Sequence, residues 1–202
     1  MAEVTPDPEL VDRLRQAVAA VRSGETQPLV DPDLEKRLAP LVAKATRLIN
    51  HRDRSVAELR GRLHDVLPEG EDPRLIDTVI ERCMANRMLD DARFATEWVR
   101  QRSRNQRKSV AVLRRELRDK GVAHPLIENA LAQVSEDDQE QTIRDLVVKK
   151  AGTVTTVPAD RAEYEKALRR IVGVAARRGF PPGASLSAAR RALDSRISEL
   201  GG

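Results

Sequence analysis

The sequence has few of the residues from which catalytic and metal sites are built. Its 202 residues include one cysteine, Cys83, which excludes an internal disulfide and a cysteine-based metal site. The three histidines, His51, His64 and His124, lie far apart in sequence and form no H-x-x-x-H pair. The sequence also lacks a phosphate-binding glycine loop and a G-x-S-x-G nucleophile turn. We therefore expect no catalytic residue, no metal site and no cofactor.

Aromatic residues and long apolar runs are also scarce. The four aromatic residues are Phe94, Trp98, Tyr164 and Phe180, so a core must consist mainly of Leu, Val, Ile and Ala. No apolar run reaches the ~20 residues that cross a bilayer. The first residues, MAEVTPDPEL, contain no apolar segment typical of a signal peptide. These absences predict a soluble, cytoplasmic protein.

The residues that are abundant favour helices. Ala, Leu, Arg and Glu dominate the sequence, and all four have high helix propensity. Apolar residues recur at helical spacing throughout residues 33–202, which predicts an all-α fold. The net charge is only +4, because 32 acidic residues offset 36 basic ones. The distribution of charge is therefore more informative about partners than its sum.

One amphipathic segment occurs twice. Residues 55–67, SVAELRGRLHDVL, share seven of thirteen positions with residues 109–121, SVAVLRRELRDKG. A looser third copy matches Gly179 and Phe180 to Gly121 and Val122 but lacks the serine. A unit of about 50 residues buries too little apolar surface alone, whereas stacked units share their cores. The repeat predicts an elongated or curved tandem array of about three three-helix units.

The unit boundaries follow from turn residues and from changes in periodicity. Residues 1–32 are predicted to be an N-terminal appendage, with a short helix through Leu10, Leu14, Val18 and Val21 followed by a linker. Residues 33–88 form the first predicted three-helix repeat. Residues 89–134 form the second and residues 135–202 the third.

Several local signals support these helices. Ser55 with Glu58, and Asp160 with Glu163, match the capping-box spacing, and Asp90 or Asp91 is suited to begin a further helix. Gly121 is suited to a left-handed position after its helix. By periodicity, the core-facing residues include Val42, Val66, Phe94 and Trp98.

Basic residues are concentrated in the second copy of the repeated segment. Residues 100–120 contain nine basic and two acidic residues, a local balance of 9 − 2 = +7. Arg114, Arg115 and Arg118 lie opposite the apolar Leu113 and Leu117 on the predicted helix. The pattern allows a solvated face, or a contact with phosphate or with an acidic protein surface. The candidate contact residues are Arg100, Arg102, Arg104, Arg107, Lys108, Arg114, Arg115, Arg118, Lys120, Arg177 and Arg178. No aromatic residues are interleaved with this cluster, so a base-stacking platform is not predicted.

Four motifs in order resemble the RecX family of regulatory proteins. They are R-x-R-S-x-x-E-L-x-x-x-L from residue 52, L-D-D-A-R-F-A-x-x-W-V-R-x-R from residue 89, S-x-x-x-L-R-R-E-L-R-x-K-G-V from residue 109, and A-R-R-G-F from residue 176. The resemblance covers about residues 40–195. It departs from the family pattern at Arg87, where the family usually has glycine before L-D-D, so we expect Asn86 to end that helix.

The resemblance implies a fold and a partner. Members of the family are bacterial cytoplasmic proteins of tandem three-helix repeats with no known catalytic site. They lodge in the groove of the RecA recombinase filament on DNA and modulate, usually inhibit, its ATPase, strand-exchange and co-protease activities. A monomeric regulator of this kind is the function we expect. A direct DNA-binding protein that competes with the recombinase for strands, and a helical scaffold with another client, are the alternatives.

Overall fold

The computed structural model describes residues 31–202, together with Asp12, Arg15, Val18 and Ala19. Within residues 31–202 it contains nine helices and no strand, which confirms the all-α prediction. The helices are α1 (Pro32–His51), α2 (Val56–His64), α3 (Arg74–Ala85), α4 (Asp91–Gln106), α5 (Val110–Asp119), α6 (His124–Leu131), α7 (Glu136–Ala151), α8 (Arg161–Ala176) and α9 (Pro182–Gly201). The appendage predicted for residues 1–32 lies almost wholly outside the described residues.

The helices pack in three successive trios, α1–α3, α4–α6 and α7–α9. Each trio has its own buried cluster of aliphatic side chains. Leu38, Leu59 and Val79 lie in the first cluster. Val99, Leu113 and Ile127 lie in the second, and Val147, Ile171 and Leu193 lie in the third. The fold is therefore a tandem row of small helical units rather than a globule around one core.

Side-chain caps set the start of most helices. The hydroxyls of Ser55 and Ser109 accept the N–H groups of Glu58 and Val112 at 3.1 and 3.3 Å. The predicted capping box at Ser55 is only half formed, because the Glu58 carboxylate binds Arg52 and Lys120 instead of the Ser55 N–H. These cations form charge-assisted bonds, which are stronger than a bond from a neutral amide.

Of the two residues predicted to begin α4, Asp90 does so, by accepting the N–H of Arg93 at 3.0 Å. The predicted capping box at Asp160 is only half formed. Asp160 accepts the N–H of Glu163, but the Glu163 carboxylate bonds to the N–H of Ala159 rather than closing the predicted box.

Left-handed residues end several helices. Gly121 and Gly179 follow α5 and α8 with φ of 72° and 78°, as predicted for Gly121. Arg87 has φ of 56°, so it takes the left-handed position after α3, and Asn86 only precedes it with φ of −84°. Asn86 is the residue that ends α3, as expected, and its N–H bonds back to the backbone oxygen of Arg82. At Arg87, a residue with a Cβ therefore occupies a conformation that favours glycine.

Two predicted core residues are exposed. Val42 is 37% exposed and Val66 is 41% exposed. Val66 lies beyond the end of α2 at His64, where helical periodicity no longer applies. Val42 follows the buried Leu41 by one residue, and therefore lies about 100° around α1, outside its narrow buried stripe.

The first and second trios meet at the start of α2. The Ser55 hydroxyl donates to the backbone oxygen of Lys120 at 2.6 Å, so one side chain caps its own helix and reaches the next trio. The Asp91 carboxylate, at the start of α4, accepts the N–H of Val56 at 2.8 Å. We call this contact the first joint.

The second and third trios meet in the same way. The Ser109 hydroxyl donates to the backbone oxygen of Gly179 at 2.8 Å, and the Ser109 N–H donates to that of Arg178 at 3.0 Å. The side-chain oxygen of Gln139, near the start of α7, accepts the N–H of Val110 at 2.9 Å. We call this contact the second joint. The repeated serine and glycine thus belong to one interface that is built twice.

Both joints need glycine for space as well as for conformation. A Cβ placed on Gly121 would lie 2.3 Å from the Cβ of Ala57. A Cβ placed on Gly179 would lie 2.2 Å from Cγ2 of Val112. Real Cβ atoms do not approach other carbons this closely. At each joint, a side chain of one trio therefore packs directly against the glycine backbone of the next trio.

Candidate partner-binding surface

The nine basic residues of residues 100–120 fall into a paired and an unpaired group. Five form ion pairs: Arg100 with Glu97, Arg102 and Lys108 with Glu116, Arg114 with Glu128, and Lys120 with Glu58. Four have no ion-pair partner within residues 31–202: Arg104, Arg107, Arg115 and Arg118. The local excess of charge available to a partner is therefore smaller than the sequence count indicates.

Trp98 lies between the core and the basic cluster. The Arg102 guanidinium stacks 3.7 Å from the centroid of the Trp98 ring, and the indole N–H donates to Glu116 at 3.1 Å. Lys120 Nζ lies 5.3 Å from the same ring. Phe94 is buried as predicted, but Trp98 is only partly buried, so the prediction of a core tryptophan was incomplete. The i, i+4 spacing of Trp98 and Arg102 is the sequence signal that reveals this contact.

Glu58 is an acidic centre at the first joint. Arg52 donates two hydrogen bonds to it at 3.1 and 3.3 Å, and Lys120 approaches it from the second trio. Burial opposes ionisation, but the bonds from Arg52 and Lys120 lower the pKa of Glu58 to about 2. Lys120 therefore links the first and second trios through its ion pair with Glu58.

Arg114 ties α5 to α6. Its guanidinium donates two bonds to the Glu128 carboxylate at 2.7 and 2.8 Å, which raises the pKa of Arg114 and lowers that of Glu128. At the matching position of the first repeat, Arg60 pairs with Asp77 of α3. The two arginines therefore have the same role, which is to join helices within a trio.

Arg115 and Arg118 are the arginines that distinguish the second repeat. Both are exposed on the outer face of α5, three residues apart. The matching positions of α2 are Gly61 and His64. The extra charge of the second copy is therefore on its outer face, where neither internal packing nor an ion pair within residues 31–202 accounts for it.

The remaining candidates lie around the second joint. Arg104 lies in the last turn of α4 and Arg107 directly follows that helix. With Arg100 they line a cleft of about 290 Å³ that faces the start of α7. Arg178 donates to the backbone oxygens of Gln106 and Val174 at 3.3 and 2.9 Å, so its guanidinium fixes the joint. Arg177 is exposed at the end of α8.

The described residues contain no cluster suited to metal binding. No three His, Cys, Asp or Glu side chains in this part of the chain come together as a metal site would require. Burial raises the pKa of the Cys83 thiol, which keeps it protonated, and the three histidines are exposed. Within the same residues, no helix combines the length and apolarity needed to cross a membrane.

Fold and surface together define a class: an all-α tandem-repeat protein with a basic outer face. The model of the second three-helix domain of RecX matches residues 90–131, which includes α4 to α6. A regulatory protein RecX from Corynebacterium efficiens is 40% identical over 98% of this chain and 97% of its own length. One from Streptomyces lividans is 32% identical over 88% of each chain. The chain belongs to the RecX family of regulatory proteins.

Solved structures agree with the fold. A crystal structure of regulatory protein RecX superposes with a TM-score of 0.63 at 15% identity, covering 94% of this chain and 82% of that one. The crystal structure of RecX from Lactobacillus salivarius superposes with a TM-score of 0.60 at 19% identity, covering 82% of this chain and 97% of that one. At these identities the likeness concerns architecture, and it confirms the predicted array of helical repeats.

Proposed function

We propose that this chain binds the RecA recombinase filament in its groove and modulates, chiefly by inhibition, its ATPase, strand-exchange and co-protease activities. In this way it regulates DNA repair and recombination in the cytoplasm. The chain acts as a monomer, and it needs no catalytic site or cofactor of its own. Its membership of a family of regulatory proteins supports this proposal.

The observation that carries the proposal is the outward pair Arg115 and Arg118. Both are exposed on a helix that is firmly held in its trio, and neither has an ion-pair partner within residues 31–202. Guanidinium groups in this state bind carboxylate or phosphate on an acidic partner. The candidate contact surface is therefore centred on these two residues, with Arg104, Arg107 and Arg177 as further contacts.

The row of trios explains how binding alters the filament. An extended array touches several subunits, and weak contacts on adjacent subunits reinforce one another through effective concentration. A ligand that fits one arrangement of the subunits better than another shifts the filament towards that arrangement. Restraining the motion between subunits would slow steps that depend on their interfaces, which include ATP hydrolysis in this family's partner.

A charge-reversal experiment tests this function. The double variant Arg115→Glu/Arg118→Glu should require roughly 10–100-fold more protein for half-maximal inhibition of recombinase ATPase on preassembled filaments, since each lost contact is worth about 1 kcal/mol or more. The control Lys36→Glu/Arg47→Glu reverses two exposed cations on α1. Circular dichroism checks the helical content of both. Equal inhibition by the two variants would show that this face is not the contact.

The second candidate function is competition for DNA. The unpaired arginines of α4 and α5 favour it, because they suit phosphate as well as carboxylate. It predicts that inhibition disappears at the salt concentration that abolishes binding to naked DNA, with a salt slope of about −0.7 to −0.9 per phosphate contacted. Inhibition that persists at that salt concentration supports binding to the filament itself.

A further inference from the structure

A cleft in the third trio collects positive charge outside the surface described above. It has a volume of about 320 Å³ and lies between the end of α7, the loop of residues 152–160 and one face of α8. Its polar lining includes Lys150, Lys166, Arg170, Thr153, Thr155 and Thr156. None of these residues contributes to the face of Arg115 and Arg118, so the cleft is a separate feature.

The positive charge of the cleft is only partly offset by the acidic residue in its lining. Lys150, Lys166 and Arg170 have no ion-pair partner within residues 31–202. The lining has one acidic residue, Glu163, whose carboxylate accepts the N–H of Ala159 at 2.9 Å, so the charge of the lining is 3 − 1 = +2. Three cations around one concave space repel one another, and an anion bound among them would relieve that repulsion.

The arrangement of donors suits phosphate. Lys166 and Arg170 lie one turn apart on α8, so their side chains project into the same space. Thr155 and Thr156 are exposed in the loop opposite and have no hydrogen-bond partner within residues 31–202, so their hydroxyls are available as donors. A phosphate group offers several acceptor oxygens and up to two negative charges, which matches three cations and hydroxyls better than one carboxylate does.

We propose that this cleft is a binding site for phosphate groups, contacted by Lys150, Lys166 and Arg170 with the threonine hydroxyls at its edge. The phosphate has two chemical sources: a free polyphosphate chain, as in a nucleotide, or the backbone of a nucleic-acid strand. Both present the same oxygens to the cleft. The site is independent of the recombinase and of the outer face of α5.

Two probes and two variants test the site without recombinase present. The probes are inorganic triphosphate, measured by calorimetry, and a fluorescent 20-residue abasic deoxyribose-phosphate strand, measured by anisotropy. The cleft variant Lys166→Gln/Arg170→Gln removes two charges from the site, and the control Lys36→Gln/Arg47→Gln removes two exposed charges from α1. Unfolding by urea verifies that both variants fold.

The cleft variant should bind at least one probe roughly tenfold or more weakly than the control variant does. For the strand, the slope of log affinity against log salt should also fall by about 1.4, which is 0.7 for each lost phosphate contact. Loss of triphosphate alone supports a free polyphosphate ligand, and loss of the strand alone supports a backbone ligand. The proposal is overturned if the wild-type protein binds neither probe, or if both variants bind the probes equally. Neither result bears on the filament experiment.

Discussion

The two joints share a backbone design and differ in charge. In each, a serine hydroxyl caps its own helix and donates across to the turn that carries a left-handed glycine. At the first joint the side chain that accepts the next amide is the carboxylate of Asp91, and at the second it is the amide of Gln139. The repeat has therefore conserved the geometry between its copies while the chemistry of the accepting group has changed.

The charge difference extends beyond that acceptor. The first joint also contains Glu58, held by Arg52 and by Lys120 of the second trio. At the second joint, Arg178 occupies the position that matches Lys120 in the repeat. It donates to backbone oxygens instead of pairing with an acidic side chain. Raising the salt concentration should therefore weaken the first joint more than the second.

The largest effects should come from filling the glycine positions. Gly121→Ala and Gly179→Ala each add a Cβ to a left-handed residue and force it against the neighbouring trio. Each should lower the free energy of unfolding by about 2–4 kcal/mol, of which about 1 is backbone strain and the rest steric conflict. Urea unfolding followed by circular dichroism measures this loss.

Three companion substitutions show where that loss arises. Gly61→Ala, in a helix with open space around it, should raise the free energy of unfolding by about 1 kcal/mol. Adding Ala57→Gly to Gly121→Ala should recover the steric part at the first joint. At the second joint, adding Val112→Ala to Gly179→Ala should recover less of the lost stability. The Cβ added at residue 179 also lies 2.9 Å from Ser109 Oγ, which this substitution leaves in place. If the changes in unfolding free energy caused by Gly121→Ala and Ala57→Gly were additive, the Cβ added at residue 121 would not be in contact with the side chain of Ala57.

A smaller, pH-dependent effect should distinguish the joints. The folded-state pKa of Glu58, about 2, lies below its usual value of 4.5, so its stabilisation is complete above 4.5 and is lost as pH falls towards 2. Glu58→Gln should lower the free energy of unfolding by about 1–3 kcal/mol at pH 7, and the difference from wild type should shrink below pH 4.5. Urea unfolding between pH 7 and pH 2 tests this.

Two controls isolate the contribution of Glu58. Burial raises the pKa of Asp91, so Asp91 favours folding below its usual 3.8 and opposes the trend from Glu58 as pH falls. In the Asp91→Asn variant, the free energy of unfolding should therefore fall more steeply as the pH is lowered.

The second control is Glu140→Gln, which removes an exposed ion pair with Arg144. It should change the free energy of unfolding by less than about 0.5 kcal/mol. The same pH profile in Glu58→Gln and wild type would contradict the ionic character of the first joint.

The smallest effect concerns Arg87, in the short segment that connects α3 to α4. Arg87→Gly replaces a left-handed arginine with the residue that this conformation favours, and should raise the free energy of unfolding by about 1 kcal/mol. Asn86→Gly, at a neighbouring residue with negative φ, should give no gain. Thermal unfolding of both proteins provides the comparison, and equal melting temperatures would rule out strain at Arg87.

The sequence predicts local features of this fold better than contacts between units. Helical periodicity located the buried faces of Leu113, Leu117 and Ile127, because it reports on one helix at a time. Capping-box spacing and the conformational preference of glycine likewise predicted Ser55 as a cap and Gly121 as a helix end. Their second role in the joint depends on a bond across 65 residues, which no local pattern reveals.

The basic surface shows the same limit. A count along residues 100–120 treats Arg114 and Lys120 like Arg115, yet the first two are held by Glu128 and Glu58 from other helices. Comparison of the two copies does separate them, because Arg60 matches Arg114 while Gly61 matches Arg115. Alignment of internal repeats therefore recovers part of what a charge count misses.

The serine and the glycine give the row of trios a direction. The second trio has both halves of the interface, Ser109 towards the third trio and Gly121 towards the first. The first trio has Leu67 at the glycine position, and the third has Ala167 at the serine position. A second copy of the middle trio would therefore fit beside the first copy through the same serine and glycine contacts. The array can thus be lengthened by whole trios that use the existing interface.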